Sequence, residues 1–301
     1  SCALDDAGAH CWGANGAGQL GDGTRLNRLE PTPVQGGHRF DQLTAGGAPD
    51  GEGGHTCGLL RSGDALCWGS NASGQLGTGD GVDSAIPALV AGGHRFHLLV
   101  AGAAHTCGLA ADGQAWCWGD NRVGQLGSEG GSAPAPVAVS GELEFVDLAA
   151  GDAHTCGILL DGRAYCWGEG RHGERGDGTM GSGTPVPVMV SGAWRYRDIE
   201  AGGSHTCAFS SGKGVFCWGA NGRGQLGDGT FADRSSPVQV RDNGTGSTGW
   251  REFGLGREHT CADMFAGFYC WGDNLRGQLG VGGGLDLSPR PMEVTFPPWG
   301  T

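Results

Sequence analysis

The tripeptide Cys-Trp-Gly occurs six times, with its cysteine at Cys11, Cys67, Cys117, Cys166, Cys217 and Cys270. The tryptophans that follow (Trp12, Trp68, Trp118, Trp167, Trp218 and Trp271) are separated by 56, 50, 49, 51 and 53 residues. A period near fifty, sustained through a chain of 301 residues, marks an array of one supersecondary unit. The units run over about 1–37, 38–93, 94–141, 142–192, 193–248 and 249–301, as one domain with no stretch left for a linker.

One copy shows what the unit is. Phe145–Ala150 is a short apolar run stopped by Gly151, and His154–Leu160 is a second run turned at Asp161-Gly162. Arg163–Trp167 is a third, a glycine-rich connection covers Gly168–Gly178, and Val186–Val190 is a fourth. Short strands punctuated by turn residues, four to a unit, describe a propeller blade. A lone blade leaves both faces in water, so blades must stack. No apolar period of 3.6 is sustained, which argues against helices. The expected fold class is therefore all-β, a β-propeller of four-stranded blades with six repeat units visible. The first unit opens at Ser1-Cys2 without its first strand, and the chain stops at Val294–Thr301 before another. This leaves two expectations, a six-bladed ring or a seven-bladed ring with one unit outside the sequence, and a leader removed ahead of Ser1.

The same recurrence pairs the twelve cysteines as Cys2-Cys11, Cys57-Cys67, Cys107-Cys117, Cys156-Cys166, Cys207-Cys217 and Cys261-Cys270. Each pair flanks a hairpin turn, and the two shorter spacings fall where the turn is one residue shorter, as at Phe265-Ala266-Gly267. Facing partners at non-hydrogen-bonded positions of an antiparallel pair bring their Cα atoms close enough for a disulfide. Zinc is the competing reading, since His55 and Cys57 share a strand face opposite Cys67, but three ligands a blade and no Cys-x-x-Cys knuckle favour cystine. Six cystines point to an extracellular, periplasmic or cell-surface location.

These residues resemble the repeat of the regulator of chromosome condensation family, whose signature is similar to Gly102–Gly127, GAAHTCGLAADGQAWCWGDNRVGQLG. The fourth copy departs from it, with Gly173-Glu-Arg-Gly176 where the others read Gly-Gln-Leu-Gly. The resemblance implies a β-propeller, usually of seven blades. The family's founding activity, nucleotide exchange on a small nuclear GTPase with chromatin binding, fits poorly, because its basic tail has no counterpart here.

The formal charge of −13 repels nucleic acid and anionic lipid, so no nucleic-acid partner is expected. No run of eighteen apolar residues occurs, so no membrane insertion is expected. Lys213 is the single lysine among nineteen basic residues, which with abundant Ala and Gly points to a GC-rich, bacterial genome. Other motifs have bland readings. His55, His105, His154, His205 and His259 recur in one slot and read as structural, bonded to nearby backbone. The G-x-G-x-x-G matches at Gly16–Gly21 and Gly222–Gly227 precede no helix and are accidental as nucleotide motifs. Asp22, Asp80, Glu129, Asp177 and Asp228 read as solvated turn residues rather than calcium ligands. Asn71-Ala-Ser73 and Asn243-Gly-Thr245 are glycosylation patterns. Neither a catalytic constellation nor a cofactor or metal site is assigned.

Function is expected where loops break the repeat. Residues 48–54 add Asp50 and Glu52 to the face carrying the glycine loops, and residues 241–249 bring Arg241, Asp242 and Asn243 to the opposite face. Trp194 and Trp250, beside Arg195 and Arg251, lie on links between blades and are either binding residues or packed inward. The leading expectation is a protein-binding propeller scaffold acting by recognition rather than catalysis. Carbohydrate or cell-wall binding is the second, and an enzyme built from loops on one face the third.

Overall fold

The computed structural model describes residues 1–6, 8–47, 53–241, 250–264, 267–282 and 284–295. Asp50, Glu52, Asp242 and Asn243 lie outside the described residues. Among the described residues every regular element is a strand. The first blade has β1 (Cys2–Asp5), β2 (Gly8–Gly13) and β3 (Arg28–Pro33). The second has β4 (Phe40–Gly46), β5 (His55–Leu60), β6 (Ala65–Gly69) and β7 (Ser84–Leu89), and the third β8 (Phe96–Ala101), β9 (His105–Ala110), β10 (Ala115–Gly119) and β11 (Ala133–Ala138). The fourth has β12 (Phe145–Ala150), β13 (His154–Leu159), β14 (Ala164–Gly170) and β15 (Gly181–Met189). The fifth has β16 (Tyr196–Ala201), β17 (His205–Ser210), β18 (Gly214–Gly219) and β19 (Arg234–Gln239). The sixth has β20 (Trp250–Leu255), β21 (His259–Met264), β22 (Gly267–Asp273) and β23 (Leu287–Glu293). Five sheets thus have four strands in chain order and the first has three, which are the blades of a β-propeller.

Two compact units are distinguished. One comprises Ser1–Leu160 with Trp167–Glu169 and Gly183–Pro187, and the other Asp161–Cys166, Gly170–Ser182 and the residues from Val188 on.

The hairpin register places the cysteines opposite each other: Cys2 faces Cys11, Cys57 faces Cys67, Cys107 faces Cys117, Cys207 faces Cys217 and Cys261 faces Cys270. These five pairs are disulfides with Cα atoms 4.0–4.1 Å apart. Cys156 and Cys166 are disulfide-bonded as well.

In each unit the core sits between consecutive blades rather than within one. In the first, the Cys57-Cys67 cystine, Leu76 and Val90 of blade two pack with Phe96, Leu99 and Trp118 of blade three. In the second, Cys207-Cys217, Leu226 and Val240 of blade five pack with Trp250, Ala262, Met264 and Trp271 of blade six. The Cys-Trp tryptophans Trp68, Trp118, Trp167, Trp218 and Trp271 are fully buried. Burying an indole of about 200 Å² at about 25 cal/mol per Å² contributes about 5 kcal/mol. An aromatic ring at the head of each inner strand leans on that tryptophan, as in Phe40–Trp68 with centroids 5.6 Å apart and Phe145–Trp167 at 5.6 Å.

Candidate interaction surface and the seams between blades

The Gly-Gln-Leu-Gly loop is the socket in which one blade receives the next. Trp68 Nε1–H donates to the Gln19 carbonyl at 3.0 Å, and Trp118 does the same to Gln75 at 2.9 Å. Trp167 repeats the bond to Gln125, Trp218 to Glu174 and Trp271 to Gln225. The threonine of His-Thr-Cys donates its hydroxyl to the same carbonyl: Thr56 to Gln19, Thr106 to Gln75, Thr155 to Gln125 and Thr260 to Gln225. The closing glycine is obligatory, because Gly77 has φ +69° and a Cβ there would stand 2.8 Å from Trp118 Nε1. In the two stretches that match a nucleotide motif, Gly18, Gly21, Gly224 and Gly227 likewise stand against the next blade, at Ala85, Trp68, Pro289 and Trp271.

The repeated histidines belong to the same seams, and this corrects the expectation that they bond nearby backbone. His55 Nε2 lies 2.9 Å from Thr106 Oγ1, His105 Nε2 2.9 Å from Thr155 Oγ1 and His205 Nε2 2.9 Å from Thr260 Oγ1, each on the following blade. The threonine proton is committed to a carbonyl, so the hydroxyl accepts and the imidazole carries its proton on Nε2. Burial lowers the pKa of His55 to about 4, of His105 to about 3 and of His154 to about 4, so the rings are neutral.

The glycine loops are braced from inside. Asn15, Asn71, Asn121, Asn221 and Asn274 accept the N–H of Leu20, Leu76, Leu126, Leu226 and Leu279 through Oδ1. The fourth blade replaces both partners at once, with Gly170 in the asparagine slot and Arg175 in the leucine slot. The Arg175 guanidinium lies over Gly170 and donates to the Ser182 carbonyl, Thr179 Oγ1 and Asp177, as the asparagine amides do in other blades. Sequence reading recorded the degenerate motif but not this exchange, because the two positions are five residues apart and complementary only in space.

Of the acidic residues taken as solvated, Asp22 and Asp228 are buried instead. Burial works to raise the Asp22 pKa, but bonds from Thr24, Arg28 and Asn15 outweigh it and hold the carboxyl below its usual range. Asp228 is held down in the same way by Thr230 and Arg234. Their oxygens are spent on the loop itself. No group of three or more His, Cys, Asp or Glu suited to a metal occurs among the described residues.

Trp250 is buried in the aromatic slot that Phe40 and Phe96 fill elsewhere, edge-on to Trp271 at 6.1 Å, so it is a packing residue. Trp194 is half-buried, its ring over Gly192 and 4.3 Å from Phe216, in the slot held by His38 and His94. Arg241 is exposed. The glycine loops also present apolar tips that composition hid among glycines: Leu26 at 65% exposure and Val82 at 66% in one unit, Met180 at 52% and Phe231 at 49% in the other. Arg25 reaches across from blade one to Asp83 of blade two at 3.4 Å, beside Leu26 and Val82. A cleft of about 210 Å³ between blades one and two is lined by Ser1, Cys2, Gln19, Gly46, His55 and Thr56 among others, and its His55 ring is already bonded to Thr106.

Repeated blades and the sockets between them define a β-propeller. Models of the regulator of chromosome condensation (RCC1) repeat match residues 6–48, 62–109, 112–158, 161–209 and 214–262, and the chain belongs to that family. It is 31% identical over 314 residues to the ultraviolet-B receptor UVR8 of Arabidopsis thaliana, covering 95% of this chain and 65% of that protein. The mitochondrial RCC1 domain-containing protein RUG3 of the same plant is 27% identical over 117 residues, 39% of this chain and 26% of its own length. Among solved structures, human WBSCR16 superposes with a TM-score of 0.83 at 22% identity, over 96% of this chain and 76% of that one. Yeast RCC1 (Prp20) superposes with a TM-score of 0.78 at 21% identity, over 96% and 72%. These two show the fold.

Proposed function

We propose that this chain is a protein-binding propeller of an oxidising, extracellular or cell-surface compartment, acting by recognition rather than catalysis. The observation that carries the reading is family membership along nearly the whole chain, in a family whose yeast member RCC1 has been solved with Kap60 bound. The compartment follows from the cystines, five of which are seen pairing facing hairpin positions. The binding surface is assigned to the glycine loops of blades one and two with Leu26 and Val82, beside the inserted residues 48–54, with the insertion at 241–249 as a second, separate candidate. Apolar tips set in a polar rim are the composition of an interface core.

The outer edges favour loops over strand addition. A proline stands three residues before Val34, Val90, Val139, Val190, Val240 and Val294, whose N–H groups all bond inward to the neighbouring strand. Alternation turns the positions of Pro31, Pro87, Pro136, Pro187, Pro237 and Pro291 outward, where each lacks the N–H an added strand would use.

The test is affinity capture from the extracellular fraction, comparing the wild type with Leu26→Ser/Val82→Ser and with variants shortened over 48–54 or 241–249. Loss of a captured protein in at least one variant supports the assignment. Unaltered capture in all of them, or a saturable glycan-array signal without protein capture, refutes it.

A further inference from the structure

Apart from the chain linking them, successive blades in each unit are held by noncovalent contacts, and each described cystine closes a hairpin inside one blade. The seam between blades two and three is held by the Thr106 hydroxyl, which accepts from His55 and donates to the Gln75 carbonyl. The next seam repeats this with His105, Thr155 and Gln125. The opposite ring nitrogens, Nδ1 of His55 and of His105, are buried and have no hydrogen-bond partner. The rings are close-packed there: a Cβ on Gly102 would stand 2.5 Å from His105 Nδ1, and one on Gly46 2.7 Å from His55 Cε1.

We propose that His55 and His105 are acid-labile latches: protonation on Nδ1 opens the seam each one holds, while the hairpin cystines keep the individual blades intact. The chemistry is one-sided. A neutral imidazole leaves a lone pair against a glycine Cα, a modest cost. An imidazolium puts an N–H and a full charge there with no protein acceptor in reach, so the ring must leave the seam to ionise. The groups around His105 are His154 and His55, which oppose its protonation, and Asp120, which favours it. His55 is governed by burial alone. Protonation of these rings thus lags behind that of exposed imidazole and is coupled to opening of the seam.

The two seams have their own backbone reporters. Gly79 N–H donates to the Pro134 carbonyl across the first, and Ala103 N–H to the Asp152 carbonyl across the second. Ala110 N–H, bonded to the Gln114 carbonyl in the blade-three hairpin, reports on the blade itself. The experiment is amide exchange of the intact, oxidised chain between pH 7 and pH 4. Protection at Gly79 and Ala103 is expected to fall about tenfold per pH unit below 6.5, one proton per seam, and to return on neutralisation, with Ala110 unchanged. His55→Gln keeps an N–H donor for Thr106 but does not titrate. It should flatten the response at Gly79 and leave that at Ala103, and His105→Gln should do the reverse. Flat protection at Gly79 in the wild type, an equal fall in His55→Gln, or a simultaneous fall at Ala110 would each overturn the latch. Should the variants fail to fold at pH 7, imidazole resonances of the wild type decide. A His55 ring still neutral at pH 5, gaining its proton as Gly79 loses protection, supports the latch, and one that titrates near 6.5 with Gly79 still protected refutes it.

Discussion

Gly77 and Gly170 carry the same residue type for opposite reasons. Gly77 sits at φ +69° with Trp118 under its missing Cβ. Gly77→Ala combines left-handed strain with displacement of a buried indole, and should cost about 3 kcal/mol, read as a lower urea midpoint. Gly170 instead makes room for the Arg175 guanidinium. Gly170→Asn and Arg175→Leu should each destabilise, the first by a clash and the second by leaving loop carbonyls unbonded. The pair together rebuilds the asparagine–leucine arrangement of the other blades, so the double variant should be more stable than the two single changes sum to, with a coupling of about 1–3 kcal/mol in a urea cycle. Asn71 belongs to the same bracing set. Its amide donates to Asp80 and the Val82 carbonyl, and it is wholly buried. Its glycosylation pattern should therefore stay unmodified when the chain is secreted from a eukaryotic host, checked by the mass of the peptide containing residue 71.

A single blade is a hairpin with two flanking strands, and its cystine closes a short loop. For a spacing of 10 residues, as in Cys107-Cys117, chain entropy gives about 2–3 kcal/mol. The cystine also lies in the seam core, as Cys57-Cys67 does against Trp118. Cys107→Ala/Cys117→Ala should accordingly lose about 3 kcal/mol or more, measured by urea unfolding, and should not be fully rescued by Cys→Ser pairs that cannot fill the apolar space. The strands themselves were readable from apolar runs bounded by turn residues. The role of the outer prolines was not, since edge and centre are distinguished only once the strands are ordered.

Across the molecule, stability is expected to depend on acid through the buried histidines. In the unfolded chain a histidine takes its proton near pH 6.5, whereas His55, His105 and His154 hold off to about 4, 3 and 4 because burial disfavours the charge. The folded pKa is lowered, so stability is complete above pH 6.5 and declines as pH falls toward 4. Each ring removes about 1.4 kcal/mol per pH unit over that window. Urea midpoints at pH 7.5, 5.5 and 4.5 should fall in that order, and equal midpoints would show the rings to be accessible.

The sequence by itself determined the number of repeats, the all-β blade and the hairpin pairing of cysteines, because these are local: a period, an apolar run and a turn each lie within about fifty residues. The same locality made Trp250 and Trp194 ambiguous and Asp22 look solvated. Only tertiary structure decided that Trp250 fills a core slot, that Asp22 is consumed by its own loop, and that the histidines bond the next blade. Those outcomes depend on what a neighbouring blade brings within 3 Å, through partners such as His55 and Thr106 that are 51 residues apart in the chain. The Cys-Trp-Gly repeat announced the blades. The sockets that join them required a carbonyl of one blade to meet an indole and a hydroxyl of the next, which no single copy of the repeat contains.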